Sequence, residues 1–277
     1  MLPATLPTGR SLVMGILNVT PDSFSDGGLY VDTDIAVEKA YRMVRQGADI
    51  VDVGGESTRP GATALTAREE WNRIGAVVTA LGKTDIVVSV DTYHADTARR
   101  AIDAGAEIVN DVTGGAGDPN MFSAVASSSC LYILQHGRGN ARTMNSLANY
   151  GDIGAEVADE LTASVDRAVS SGVDASQIVV DPGFGFAKVG NDDWDLAANM
   201  APIMELGMPV LVGVSRKRFL AEIHNGRFGP AQRDDATAAL TAYFAELGVW
   251  GVRVHEVAAS RAAVETVARL RTAGAYP

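Results

Sequence analysis

A chain of 277 residues with 47% hydrophobic content is long enough to bury a large core. Asp and Glu number 34 against 23 Lys and Arg, a net charge of −11 that argues against nucleic acid or an anionic membrane surface as the partner. The single cysteine, Cys130, excludes an internal disulfide and a cysteine-rich zinc site and points to the cytoplasm, and no apolar stretch approaches the roughly 18 residues needed to span a bilayer.

The first predicted element is an apolar run over residues 12–18, a buried strand that stops at Asn18. The stretch that follows, 19–28, mixes turn formers, carboxylates and hydroxyls around one aromatic, Phe24, a composition suited to a loop that covers a site. Next, "DIAVEKAYRMVRQG" spaces apolar residues three and four apart, as a helix does, and stops at Gly47. Val- and Ile-rich runs then recur at 48–54, 86–91, 107–112, 131–136, 178–181, 209–214 and 250–255. Helical stretches separate them, "DATAALTAYFAELG" at 235–248 among them, and several end at glycine. The runs are nearly continuous rather than alternating, as parallel strands covered on both faces require. Eight strand and helix units predict a closed (β/α)8 TIM barrel forming one domain over residues 1–277. No G-x-G-x-x-G follows the first strand, against a dinucleotide site.

Polar residues close strand after strand: Asn18, Asp91, Asn110 with Asp111, His136, Asp181, the Ser215 to Lys217 run, and Arg253 with His255. In a barrel such ends meet at one mouth. Arg253 and His255 are two apart on a strand and share a face, where guanidinium and imidazole can grip phosphate oxygens. The loop "GGESTRPGAT" offers glycine backbone, Ser57, Thr58 and Arg59, the parts of an anion-gripping loop. Two carboxylates and an amide, Asp91, Asp181 and Asn110, suit a planar heterocycle with N–H donors and a carbonyl, and Lys217 adds a donor. The amide oxygen of Asn18, together with substrate phosphates, could hold Mg2+.

The segments "MGILNVTPDSFSDGG", "DIVDVGGESTRPGA", "VSVDT", "AEIVNDVTGG", "DPGFGFAK", "VLVGVSRKRFL" and "GVRVHEV" occur in this order from residue 14 to residue 257 and resemble the dihydropteroate synthase family. The resemblance implies a (β/α)8 barrel, a homodimer, and condensation of 6-hydroxymethyl-7,8-dihydropterin diphosphate with p-aminobenzoate. It implies a pterin pocket of Asp91, Asn110, Asp181 and Lys217. Diphosphate falls to Asn18 with the magnesium, Thr58, Arg59, Arg253 and His255, and the aminobenzoate to Phe24, Pro60, Phe186, Lys217 and either the backbone after it or Arg218. Asn18, Lys217, Arg253 and His255 are the expected catalytic residues, and Asp22 could take the amine proton. Arg218 stands where many members have a small hydroxyl residue, and "QHGRGNARTMN" lacks the proline common after the fifth strand. A barrel that binds methyltetrahydrofolate would need the pterin trio without Arg59, Arg253 and His255, and a non-catalytic pterin-binding paralogue would be expected to lose such residues.

Overall fold

The computed structural model describes residues 6–20, 29–56, 64–140, 142–224, 226 and 229–274. Within them strands and helices alternate as β1 (Leu12–Asn18), α1 (Leu29–Arg45), β2 (Ile50–Gly54), α2 (Ala67–Leu81), β3 (Val87–Asp91), α3 (Ala95–Asp103), β4 (Ile108–Asp111) and α4 (Met121–Ala126). They continue as β5 (Leu131–Gln135), α5 (Ile153–Ser170), β6 (Ile178–Asp181), α6 (Asp192–Ala198), α7 (Ala201–Met204), β7 (Leu211–Val212), α8 (Asp234–Leu247), β8 (Gly251–Val254) and α9 (Val257–Thr272). All strand pairs are parallel, in the order β6-β5-β4-β3-β2-β1-β8-β7. A bridge between Val180 and Val210 joins the two ends, with Val180 N–H donating to the Pro209 carbonyl at 2.9 Å, and the sheet closes into the expected eight-stranded barrel.

Most strands match expectation within one or two residues at their ends, and two elements differ by more. The seventh strand, expected over 209–214, pairs regularly only at Leu211–Val212. Pro209 has no N–H to give to a ladder, and beyond Val212 the chain enters the turn that carries Ser215, Arg216 and Lys217. Helix α1 begins at Leu29, ahead of the apolar spacing that starts near Asp34.

Both faces of the strands are buried, for different purposes. Val51, Val53, Val88, Val90 and Val109 belong to the shell between sheet and helices, packed with Ile74, Val78, Met121 and Phe244. The alternate residues Leu12, Met14, Ile50, Val87, Ile108 and Val179 fill the barrel interior, where Leu6 joins them from the N-terminal segment. Along each strand this inward set changes character, because successive inward residues lie two apart. β2 runs Ile50, Asp52, Gly54; β3 runs Val87, Ser89, Asp91; β4 runs Ile108, Asn110; β6 runs Val179, Asp181; and β8 runs Gly251, Arg253. Strand register sets Asp52 beside Ser89 and Asp91 between Gly54 and Asn110. The apolar residues occupy the end where the strands begin, and the polar ones the end where they finish.

Candidate active site

Arg253 is the centre of the polar end. Its Nε donates to Asp52 Oδ2 at 2.6 Å and its Nη2 to Asp91 Oδ2 at 2.6 Å, while Asn110 Nδ2 donates to the same Asp52 oxygen at 3.2 Å. Burial works against the Arg253 charge, and Asp52 and Asp91 more than offset it, raising the guanidinium above its ordinary value. Burial pushes the Asp91 carboxyl up to about 7, against the pull of Arg253 and with Asp52 adding to the rise. Asp52 is completely buried, and its Oδ1 has no hydrogen-bond partner among the described residues. A buried acceptor in that state is costly unless a ligand or water donates to it.

Asp181, at the end of β6, is buried, and its Oδ1 accepts from Gly183 N–H at 2.7 Å. Burial raises its carboxyl above the usual range, with the Gly183 bond and the Lys217 ammonium opposing the rise. Lys217 leans toward this group from the turn after β7, and burial lowers its ammonium to about 8, with Asp181 opposing. The Nζ lies 4.2 Å from the centre of the Phe186 ring, a cation–π contact that presents one aromatic face beside the mouth.

The turn that delivers Lys217 is unusual in its backbone. Arg216 has a left-handed φ of 61°, which a side chain with a Cβ rarely adopts. It is held there by a two-pronged pair with Asp234 at the start of α8 (2.8 and 2.7 Å), and Arg233 Nη1 donates to the Arg216 carbonyl at 3.0 Å. Just before it, Ser215 Oγ lies 3.0 Å from His255 Nδ1 and accepts from His255 N–H at 3.1 Å. Burial, reinforced by Arg216 and Arg253, lowers the imidazole to about 3.

The structure brings Asp91, Asn110, Asp181, Lys217, Arg253 and His255 to one end of the barrel, with Asn18 half-buried at the end of β1 opposite Gly54. Phe186 is half-buried, and Arg218 is exposed at the start of a short 3-10 turn. Phe24, Thr58, Arg59, Pro60 and Asp22 lie outside the described residues. Two polar strand ends expected at the mouth are turned away from it. Asp111, one residue past Asn110, faces the helix shell, where it accepts from Tyr132 Oη at 2.7 Å and Gly115 N–H at 2.8 Å. His136 points its Nε2 at Glu160 of α5, 3.0 Å away. The loop after β5 closes without the family proline. Arg138 stacks on Tyr150 at 3.9 Å, pairs with Glu156 and Glu160, and donates to the Leu147 and Asn149 carbonyls.

Sequence reasoning missed Asp52 as a site residue. Its signal was an aspartate inside the apolar run "IVDVGG", two residues from Gly54 and on the same side of the strand as Ile50.

Comparison with known proteins agrees with this geometry. The pterin binding enzyme family matches residues 14–255. The dihydropteroate synthase of Mycobacterium leprae is 48% identical over 95% of this chain and 94% of its own. The Xanthomonas albilineans dihydropteroate synthase solved with 4-aminobenzoic acid superposes with a TM-score of 0.86 at 40% identity, covering 97% of this chain and 94% of that one. The Burkholderia cenocepacia enzyme solved with 7,8-dihydropteroate superposes with a TM-score of 0.87 at 36% identity, covering 98% of this chain and 95% of that one. With a family match across almost the whole barrel and the polar strand ends gathered at its mouth, the chain belongs to the pterin-binding enzymes and, among them, to the dihydropteroate synthases, transferases of folate biosynthesis.

Proposed function

We propose that this chain joins 6-hydroxymethyl-7,8-dihydropterin diphosphate to p-aminobenzoate at the C-terminal mouth of its barrel, releasing diphosphate and 7,8-dihydropteroate. The observation that supports the residue assignment is the gathering of Asp52, Asp91, Asn110, Asp181, Lys217 and Arg253 at one end of the barrel, with one buried Asp52 oxygen that has no donor among the described residues. Asp181 and Asn110 take the hydrogen-bonding edge of the heterocycle. Asp52 and Asp91 complete that wall, and Arg253 holds both in place beneath it. Lys217 donates to the ring carbonyl and, with Phe186, shapes the slot for the aminobenzoate. Arg253, whose Nε and Nη2 serve the two carboxylates, joins His255 and Asn18 at the diphosphate, with Thr58 and Arg59, and the backbone after Lys217 or Arg218 meets the aminobenzoate carboxylate. Phe24 and Pro60 complete that ring's surroundings.

The chemistry asked of these residues is stabilisation of a leaving group. A methylene attached to an electron-rich pterin can lose diphosphate to give a stabilised cation, and the aromatic amine is nucleophilic without a strong base. Magnesium fits as an ion that arrives with the diphosphate. Among the described residues no group of three or more His, Cys, Asp or Glu could hold a metal, so Asn18 would give one amide oxygen and diphosphate and water the rest. When bound, the ion would neutralise charge on the departing diphosphate. We further propose a cytoplasmic, single-domain enzyme acting as a homodimer. Among the described residues no helix is long and apolar enough to cross a membrane.

The decisive assay supplies pterin diphosphate, p-aminobenzoate and magnesium and looks for dihydropteroate and diphosphate in equal amounts. No product with every component present would overturn the proposal.

A further inference from the structure

Lys188 ends the loop that follows β6, and it is buried, with 5% of its surface exposed. Its Nζ donates to the carbonyls of Gly183 at 2.9 Å and Phe186 at 3.0 Å, and lies 3.4 Å from His136 Nδ1 at the end of β5. Burial lowers this ammonium to about 8, with Asp193 and Asp181 opposing from a distance. A buried cation bound mainly to carbonyls is an expensive choice for a core position, where a methionine would pack at no electrostatic cost.

The loop it holds has a backbone that needs holding. Gly183, Gly185 and Ala187 are alternately left-handed, with φ of 69°, 73° and 49°, and Ala187 pays a steric penalty that the glycines do not. A Cβ at Gly183 would sit 2.0 Å from the His136 carbonyl oxygen, and one at Gly185 would sit 2.8 Å from Lys217 Cδ. The loop is thus pressed between β5 and the lysine of the mouth. Its other ties include Gly183 N–H to Asp181 Oδ1 at 2.7 Å, Phe186 N–H to the Gly183 carbonyl at 3.0 Å, Gly185 N–H to Asp193 Oδ1 at 2.6 Å and Tyr150 Oη to the Ala187 carbonyl at 2.9 Å. Lys188 adds a side-chain tie of another kind, gathering the carbonyls of Gly183 and Phe186, one at each end of the 183–186 turn, onto one atom.

We propose that Lys188 is a positioning residue whose buried ammonium clamps the loop after β6 so that the Phe186 ring stays over Lys217 and lines the aminobenzoate slot. The idea rests on the reading above in giving that slot to Phe186 and Lys217, but the clamp itself can be tested without substrate.

Two measurements decide it, made on the full chain as Lys188→Met, Lys188→Gln, Phe186→Ala and the double variant K188M/F186A. In the ligand-free protein, amide hydrogen exchange over residues 183–187 is expected to quicken about tenfold or more in K188M while the β1 to β3 amides keep their rates. Unchanged exchange in that loop overturns the clamp, whatever the enzyme does. In steady-state assays K188M should raise KM for p-aminobenzoate about tenfold, with kcat and the KM for pterin diphosphate within about threefold, and K188Q, which keeps a donor, should fall between. In the F186A background K188M should then add less than about twofold, because the residue acts through the ring. Multiplicative effects of the two substitutions, or loss of folded protein in both K188M and K188Q, would assign Lys188 to general stability and overturn the proposal. A wild-type chain that makes no dihydropteroate refutes the proposed reaction, and the exchange measurement still judges the clamp.

Discussion

Ser215 Oγ accepts from the His255 backbone N–H and lies 3.0 Å from Nδ1, a contact that fixes the ring's orientation and leaves Nε2 on its far side. With its pKa lowered to about 3, the imidazole stays neutral and, in the role proposed for it, meets the diphosphate without carrying charge of its own. The expected outcome is a His255 resonance that does not titrate between pH 5 and pH 9 in an NMR series. The sign of the stability effect follows. Between roughly 6.5 and about 3 the unfolded chain binds a proton that the folded ring refuses, so this group lowers stability as pH falls through that window and contributes nothing above it. Ser215→Ala should free the ring, cost about 1 kcal/mol of stability, and weaken binding of inorganic diphosphate, measured by titration calorimetry. Asp181→Ala should cost roughly 2–3 kcal/mol of affinity for a pterin that lacks the diphosphate, because the heterocycle loses a buried acceptor. Unchanged calorimetric affinity would remove Asp181 from the pocket. Residue spacing was enough to pair Arg253 with His255, since two positions on one strand share a face. It was not enough to reveal that Arg253 is engaged by Asp52 and Asp91, because those contacts reach past β1 to β2 and β3 across a curved sheet whose strand order the sequence does not state.

At the scale of elements, the weakest join in the barrel lies between β6 and β7. β7 has two regularly paired residues where β1 has seven, and the closure there rests on the Val180 and Val210 bridge and the Val180 bond to Pro209. Few ladder bonds mean a low local cost of opening. Native-state hydrogen exchange should therefore find the Val180 amide and the Gly251 amide, which donates to Val210, faster than amides of β2 and β3. Asp181, Lys217 and Arg253 flank this seam, so adding a pterin should slow exchange there more than elsewhere. Equal protection around the whole barrel would contradict that view. The eight strands were legible from their Val and Ile runs. The shortness of β7 was less so, because an apolar run announces burial and says little about whether each backbone group finds a ladder partner.

For the whole molecule, the proposed dimer can be probed at apolar side chains that remain about 40% exposed, Tyr243 and Leu247, one turn apart on α8, and Leu270 on α9. Sedimentation should show a dimer, and L247E combined with L270E should give a monomer with unchanged circular dichroism. A wild-type monomer would dismiss the homodimer. The barrel plan itself was readable, because strand and helix alternate with few interruptions over the chain. Which strand-end residues face the mouth was only partly so: parity sends Asn110 inward and Asp111 outward, and that parity is fixed only once register is known. The change of inward residues from aliphatic to polar partway along the strands has a consequence for how this protein can vary under selection. With aminobenzoate bound as proposed, substitutions that resist a mimic of it fall where strands finish, and they draw down stability there. Compensating substitutions can arise around Leu12, Ile50, Val87 and Val179, at the far end of the same strands, without touching the slot. One barrel thus keeps separate accounts for resistance and for robustness, and a lineage can change the first while repairing the second.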